Sequence, residues 1–119
     1  MIFNNNIPIY VQIIDNIKKE IISGTILPGE KLPSTRELAL KYSINPNTSQ
    51  KIYKEMERQN ICFTKRGLGT FVTNDIQKIN EIRQQMANSL IKDFIRGMTE
   101  LGFSIEELEK IIVNYNDEK

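Results

Sequence analysis

Residues 34–60 read STRELALKYSINPNTSQKIYKEMERQN. Two helices are legible in them, with a short break between. Ser34 and Glu37 fit a capping box, in which each side chain satisfies the other residue's backbone N–H. The helix that follows is short and turns Leu38, Ala39 and Tyr42 inward. It breaks at YSINP, where Asn45 is a good N-cap and Pro46 suits the first helical position, because a proline's missing N–H costs nothing there. The spacing predicts a second helix over 45–60. At about 100° per residue, Asn47, Gln50, Lys51 and Lys54 share an arc of about 100° on one side. Ser49, Ile52, Tyr53 and Met56 occupy the opposite side, with the small serine allowing close approach. One side is core; the other carries amides and ammonium groups that need a different use.

Upstream, residues 9–23 place Tyr10, Ile14, Ile17 and Ile21 at helical spacing between Pro8 and Gly24. TILPGEKLP, with its Pro-Gly turn and second proline, reads as a connector. Downstream, ICFTKRGLGTFVT at 61–73 favours strands around a glycine-bracketed tip, a β-hairpin with Lys65 and Arg66 beside its turn. An isolated hairpin is marginal in water, so it must pack on the helices. From about Asp75 the chain is helical again. Ile82, Met86, Leu90, Phe94 and Met98 recur every four residues until Gly102. Ser104 with Glu107 then opens a last helix through Leu108, Ile111, Ile112 and Tyr115, and Phe103 can staple against Leu108.

Helix, helix, short turn, helix, hairpin is a helix-turn-helix followed by a wing. In that layout the second helix of the pair lies in the DNA major groove. Asparagine and glutamine pair with adenine edges, and lysine reaches guanine acceptors or phosphate. The start of the 45–60 helix is expected to offer free N–H groups and a positive dipole end to a phosphate. Net charge over the 119 residues is only +1, but residues 31–66 hold eight basic side chains against three acidic, while residues 76–119 hold six against eight. The positive charge sits where a polyanion would approach.

Composition excludes more than it selects. No apolar run reaches the length of a membrane span, and MIFNNNIPIY lacks the pattern of a secretory signal, so a cytoplasmic location is the default. There is no histidine and a single cysteine, Cys62. No internal disulfide can form, no protein metal site is expected, and no general base or activated thiol is visible. No catalytic residue and no cofactor are expected. The rival reading is a winged helix that binds another protein without reading DNA, which would show an exposed apolar patch instead of a polar helix face.

LPGEKLPSTRELALKYSINPNTSQKIYKEMERQNICFTKRGLGTFV, residues 27–72, resembles the winged-helix domain of GntR-family transcription regulators. LPGEKLPSTRELA, NPNT and RGLGTFV carry the match, and IPIYVQI near the start agrees with it. NPNT is similar to the short-tailed YtrA-like subfamily. The resemblance, together with the polar helix side and the basic hairpin turn, implies a DNA-binding set that opens with Ser34, Thr35 and Arg36 at the start of the first helix of the pair. Asn45, Pro46, Asn47, Thr48, Gln50, Lys51 and Lys54 follow on the recognition helix, then Lys65, Arg66 and Gly67 on the wing. Wing residues 64–70 would enter the minor groove, where a Cβ on Gly67 would hold the backbone away. Gln50 and Pro46 stand where many members carry arginine, so arginine–guanine contacts do not carry over.

The fold class expected is mainly α with a small β-hairpin: a winged helix-turn-helix over residues 1–74 and a two-helix C-terminal dimerisation region over 75–119. Two helices of this size supply too little core alone. The stripe of Ile82, Met86, Leu90, Phe94 and Met98, with Leu108 and Ile112, is therefore expected to form a homodimer seam about a two-fold axis. Its charged side is not basic-rich, which argues against a membrane surface. The expected function is a homodimeric repressor on an inverted-repeat, double-stranded DNA operator. A small effector at the dimer seam is left open, with nothing in the residues to name it.

Overall fold

The computed structural model describes residues 3–116. Met1 and Ile2, on which the reading of the N-terminus partly rests, and Asp117, Glu118 and Lys119, which enter the tail's charge tally, lie outside them. The order is α1 (Ile9–Ser23), α2 (Thr35–Tyr42), α3 (Pro46–Arg58), β1 (Cys62–Lys65), β2 (Gly69–Val72), α4 (Ile76–Glu100) and α5 (Ile105–Asn114). This is the mainly helical, hairpin-bearing winged architecture that the sequence predicts. The chain divides into two compact units, Met1–Arg83 and Gln84–Lys119, and the division falls inside α4.

In the first unit, α3 is the helix on which the rest converge: α1, α2 and β1 all pack against it. Ile52 and Met56 are fully buried, and Tyr53 nearly so. Ser49 is fully buried too, and its hydroxyl has no partner among the described residues. Size explains its presence, since a larger side chain would push the helices apart. Two hydrogen bonds tie the bundle at its edges. Asn16 Nδ2 donates to the Tyr42 hydroxyl at 2.8 Å, and the Tyr53 hydroxyl donates to the Pro33 carbonyl ahead of α2. α1 has no side-chain cap. Instead Gln12 reaches back to hold the asparagine run, donating to the carbonyls of Asn4 and Ile7 and accepting from the Asn4 N–H.

α2 and α3 end where a residue turns left-handed. After α2, Ser43 has φ +54°, and Ile44 N–H reaches back to the Ala39 carbonyl. After α3, Asn60 has φ +61°, and Ile61 N–H bonds the Met56 carbonyl while Asn60 N–H bonds that of Glu57. Both close as Schellman motifs. This stops α3 at Arg58, short of the expected residue 60.

β1 and β2 pair antiparallel, with Cys62 opposite Val72 and Lys65 opposite Gly69. The connector before α2 supplies a third, one-residue rung, because Lys31 bridges to Phe71. Leu32 N–H donates to the Thr70 carbonyl and Val72 N–H to that of Glu30. The wing is thus hydrogen-bonded to the chain leading into α2, and buried Leu32 sits beneath it.

In α4, the N–H of Gln77 is capped by Asp75, and the first turns belong to the first unit, where Ile82 is buried. In the second unit, α5 opens with the expected Ser104–Glu107 capping box, and Leu108 is buried. Of the expected seam, then, Ile82 and Leu108 are covered within the chain itself. Met86 and Met98 are half-buried, while Leu90, Phe94 and Ile112 are exposed. Among the described residues, no helix is long and apolar enough to cross a membrane.

Candidate nucleic-acid interface

Three segments of the first unit present the residues singled out from the sequence. The first is the start of α2. Ser34 Oγ accepts from the Glu37 N–H at 3.1 Å, and Glu37 Oε1 accepts from the Ser34 N–H at 2.9 Å. The Ser34 backbone N–H, and after it the Ser34 hydroxyl, hold the Glu37 carboxyl below its ordinary range. The box leaves the backbone N–H groups of Thr35 and Arg36 without an acceptor among the described residues, and the Arg36 side chain is exposed.

The second segment is α3. Asn47, Gln50, Lys51 and Lys54 are all exposed, on the side opposite Ser49, Ile52, Tyr53 and Met56. Thr48 is half-buried at the edge. One expectation is corrected here. The start of α3 has no free N–H groups to offer. Pro46 carries none, the Asn47 N–H goes to Asn45 Oδ1 at 2.8 Å, and the Thr48 N–H goes to the Asn45 carbonyl at 2.9 Å. The cap that starts the helix consumes the donors that a phosphate would use, and only the dipole remains. Of the two helix starts, that of α2 keeps open donors.

The third segment is the wing tip. Leu68 N–H donates to the Lys65 carbonyl at 2.9 Å, closing a four-residue turn with Gly67 at its third position, where φ is +79°. That geometry favours glycine. Space around Gly67 is open, whereas a Cβ on Gly69 would meet Lys31 Cε at 2.7 Å. The lysine stem can swing aside, so at Gly69 too it is the backbone, with φ +122°, that requires glycine. Lys65, Arg66 and Gly67 are exposed. The Lys65 ammonium lies 5.3 Å from the Phe71 ring centroid and 5.7 Å from that of Phe63, over a stacked pair.

The cations of this region are not equivalent. Arg58 is held by Glu55, whose carboxyl is drawn down to about 2 by the Arg58 hydrogen bonds. Lys41 lies 3.9 Å from Glu20. Arg36, Lys54 and Arg66 form no ion pair among the described residues. Two residues that the sequence reading did not assign to the interface also appear there. Tyr10 shares a shallow groove with Asn47, Gln50, Lys51 and Lys54, and Lys31 lies across the base of the wing. The periodicity of α1 assigns Tyr10 to the core stripe, yet it is only half-buried. Cys62 is buried, and burial pushes its thiol up to about 12, so it is protonated and unreactive at neutral pH.

Residues 9–72 match the family of bacterial regulatory proteins known as the gntR family. The chain belongs to the GntR family. It is 40% identical over 106 residues to the HTH-type transcriptional repressor YtrA of Bacillus subtilis, covering 88% of this chain and 82% of that protein. In structure it is similar to a GntR family transcriptional regulator from Listeria monocytogenes, with a TM-score of 0.87, 38% identity, and coverage of 96% of this chain and all of that one. The DNA-binding domain of AraR in complex with its operator ORX1 aligns with 60% of this chain and 93% of that domain, at a TM-score of 0.56 and 28% identity. These relatives are regulators of transcription, and the chain is a GntR regulator of the YtrA type.

Proposed function

We propose that this regulator is a homodimeric repressor that binds an inverted-repeat operator. α3 lies in the major groove of each half-site, and the wing tip, residues 64–70, enters the adjacent minor groove. One observation carries this reading: α3 buries its apolar side completely while Asn47, Gln50 and Lys54 stand exposed on the other. Water satisfies that polar side as it stands, and its amide and ammonium groups are the chemistry that reads base edges. The operator-bound AraR domain and the repressor YtrA support the same assignment.

Within this reading the phosphate seat is at the start of α2. The open N–H groups of Thr35 and Arg36 and the Arg36 guanidinium grip the backbone there. The Asn45–Pro46 start of α3 sets the helix's angle of entry. Dimerisation comes from the exposed apolar residues of the second unit, Leu90, Phe94 and Ile112, with Met86 and Met98 at their margin. Two heads on one duplex make the operator two-fold symmetric, with half-sites separated by about one helical turn or a multiple of it. An effector acts, in this scheme, by changing the separation of the heads.

Selection of bound fragments from random duplexes tests the proposal directly. The expected result is an enriched motif with two-fold symmetry and a fixed half-site separation. Enrichment without symmetry would remove the dimeric readout, and no enrichment above input would remove base reading altogether.

A further inference from the structure

We infer that Tyr10 is a positioning residue for DNA reading: its ring holds the Lys51 ammonium in place on the recognition face of α3. The inference rests on the proposed DNA-binding reading and adds to it a residue outside the helix-turn-helix. Lys51 Nζ lies 4.0 Å from the centroid of the Tyr10 ring. That is well inside the distance at which a ring face attracts an ammonium. Among the described residues no other lysine of the face is held in this way: the ammonium–ring contacts of Lys41 and Lys65 are longer and lie elsewhere, and Lys54 has none.

Tyr10 is well placed for the task because α1 itself is firmly placed. Ile13, Ile14, Ile17 and Ile21 are all buried, and α1 packs directly on α3. The first turn of α1 is braced by Gln12, which ties it to Asn4 and Ile7. Tyr10 therefore stands on a fixed support, half-buried, at one wall of the groove that also contains Asn47, Gln50 and Lys54. A free lysine stem samples many rotamers, and binding has to freeze them. Lys51 is spared part of that cost, and its ammonium is offered from one direction. A pre-aimed cation distinguishes one base step from another better than a mobile one, which settles on the nearest phosphate.

The test uses the full chain, the selected operator and a random duplex of equal length. In the free protein, the ε-methylene protons of Lys51 should show an upfield ring-current shift in NMR spectra. Tyr10→Phe should keep it and Tyr10→Leu should abolish it. Binding to the operator should be unchanged in Tyr10→Phe and weakened about five-fold in Tyr10→Leu, with little loss on the random duplex. In the Lys51→Ala background, Tyr10→Leu should cost nothing further, because the partner is gone. Lys54→Ala with Tyr10→Leu should lose binding multiplicatively.

Multiplicative losses for Tyr10→Leu with Lys51→Ala, or equal losses on operator and random duplex, would overturn the positioning role. A loss in Tyr10→Phe would replace it with a direct contact from the hydroxyl. Should Tyr10→Leu fail to fold, the wild-type ring-current shift and the Tyr10→Phe comparison decide, and a missing shift overturns the inference. If the wild-type chain shows no preference for any duplex, the parent reading fails and takes this one with it. A selective wild type with multiplicative losses removes Tyr10 alone.

Discussion

α3 and α4 are both two-sided helices, and each leaves a side uncovered, but the uncovered sides differ in kind. α3 spans Pro46–Arg58, buries Ser49, Ile52, Tyr53 and Met56, and exposes amides and lysines. α4 spans Ile76–Glu100 and buries only Ile82, leaving Leu90, Ile91 and Phe94 exposed. A polar side in water costs little and can wait for a polyanion. An apolar side of this extent is unfavourable in water and calls for a second apolar surface. One chain thus makes two different demands, the first weak and open to a charged ligand, the second strong and met, in the proposed dimer, by a copy of itself. The dimeric DNA-binding reading satisfies both.

The largest effect should come from removing the second demand. Leu90→Asp with Phe94→Asp places carboxylates on the uncovered side of α4, and in sedimentation velocity the protein should run as a monomer. Operator affinity should fall steeply with it, since each head then binds alone. An unchanged sedimenting mass would mean that α4 does not form the seam. The same comparison sets the next effect. Ile52→Ala, on the covered side of α3, should lower unfolding stability by about 2–5 kcal/mol. Leu90→Ala, on the uncovered side of α4, should barely change the unfolding of the monomeric form.

The uncovered side of α3 gives the third effect. Gln50→Ala should cost about 1–3 kcal/mol on the selected operator and relax preference at one base position. Equal loss on operator and random duplex would strip Gln50 of its reading role. On the wing, Arg66→Ala should weaken binding evenly across sequences and lower the slope of log affinity against log salt by about 1. A sequence-selective loss there would make Arg66 a base reader instead.

How much of this was legible beforehand differs between the same two regions. The two faces of α3, its N-cap and its proline were readable because helical period and capping are local, and α3 meets its neighbours with the side the period predicts. Ser43 carries no local signal for its positive φ, and Asn60, though asparagine tolerates the left-handed region, signals it far less plainly than a glycine would. The third rung of the sheet at Lys31 was hidden between Pro28 and Pro33, because one bridging residue has no period to detect. Helical spacing assigns Tyr10 to the core stripe of α1, and only the packing of α1 on α3 reveals that its ring faces Lys51. In α4, period alone could not separate residues covered within the chain, such as Ile82, from those left bare, such as Leu90, because the helix runs through both compact units.

The smallest effect concerns how the head begins α2, whose free N–H groups the proposed phosphate seat requires. Glu37 accepts from the Ser34 N–H, and that bond together with the Ser34 side chain lowers its carboxyl from an ordinary 4.5. A group whose folded value lies below its unfolded one stabilises the fold above the unfolded value. It loses that contribution as pH falls through the folded value. Glu37→Gln keeps an acceptor for the Ser34 N–H but removes the charge at the positive end of the helix. At pH 7 the wild type should therefore melt slightly above Glu37→Gln. The gap should close as pH falls through and below 4.5. Ser34→Ala supplies the contrast, because a hydroxyl does not titrate: its cost, about 1 kcal/mol, should persist in acid as the loss of the cap to the Glu37 N–H. A Glu37→Gln gap that stays constant down to the acid limit would mean that the charge contributes nothing, and that the box holds α2 by hydrogen bonding alone.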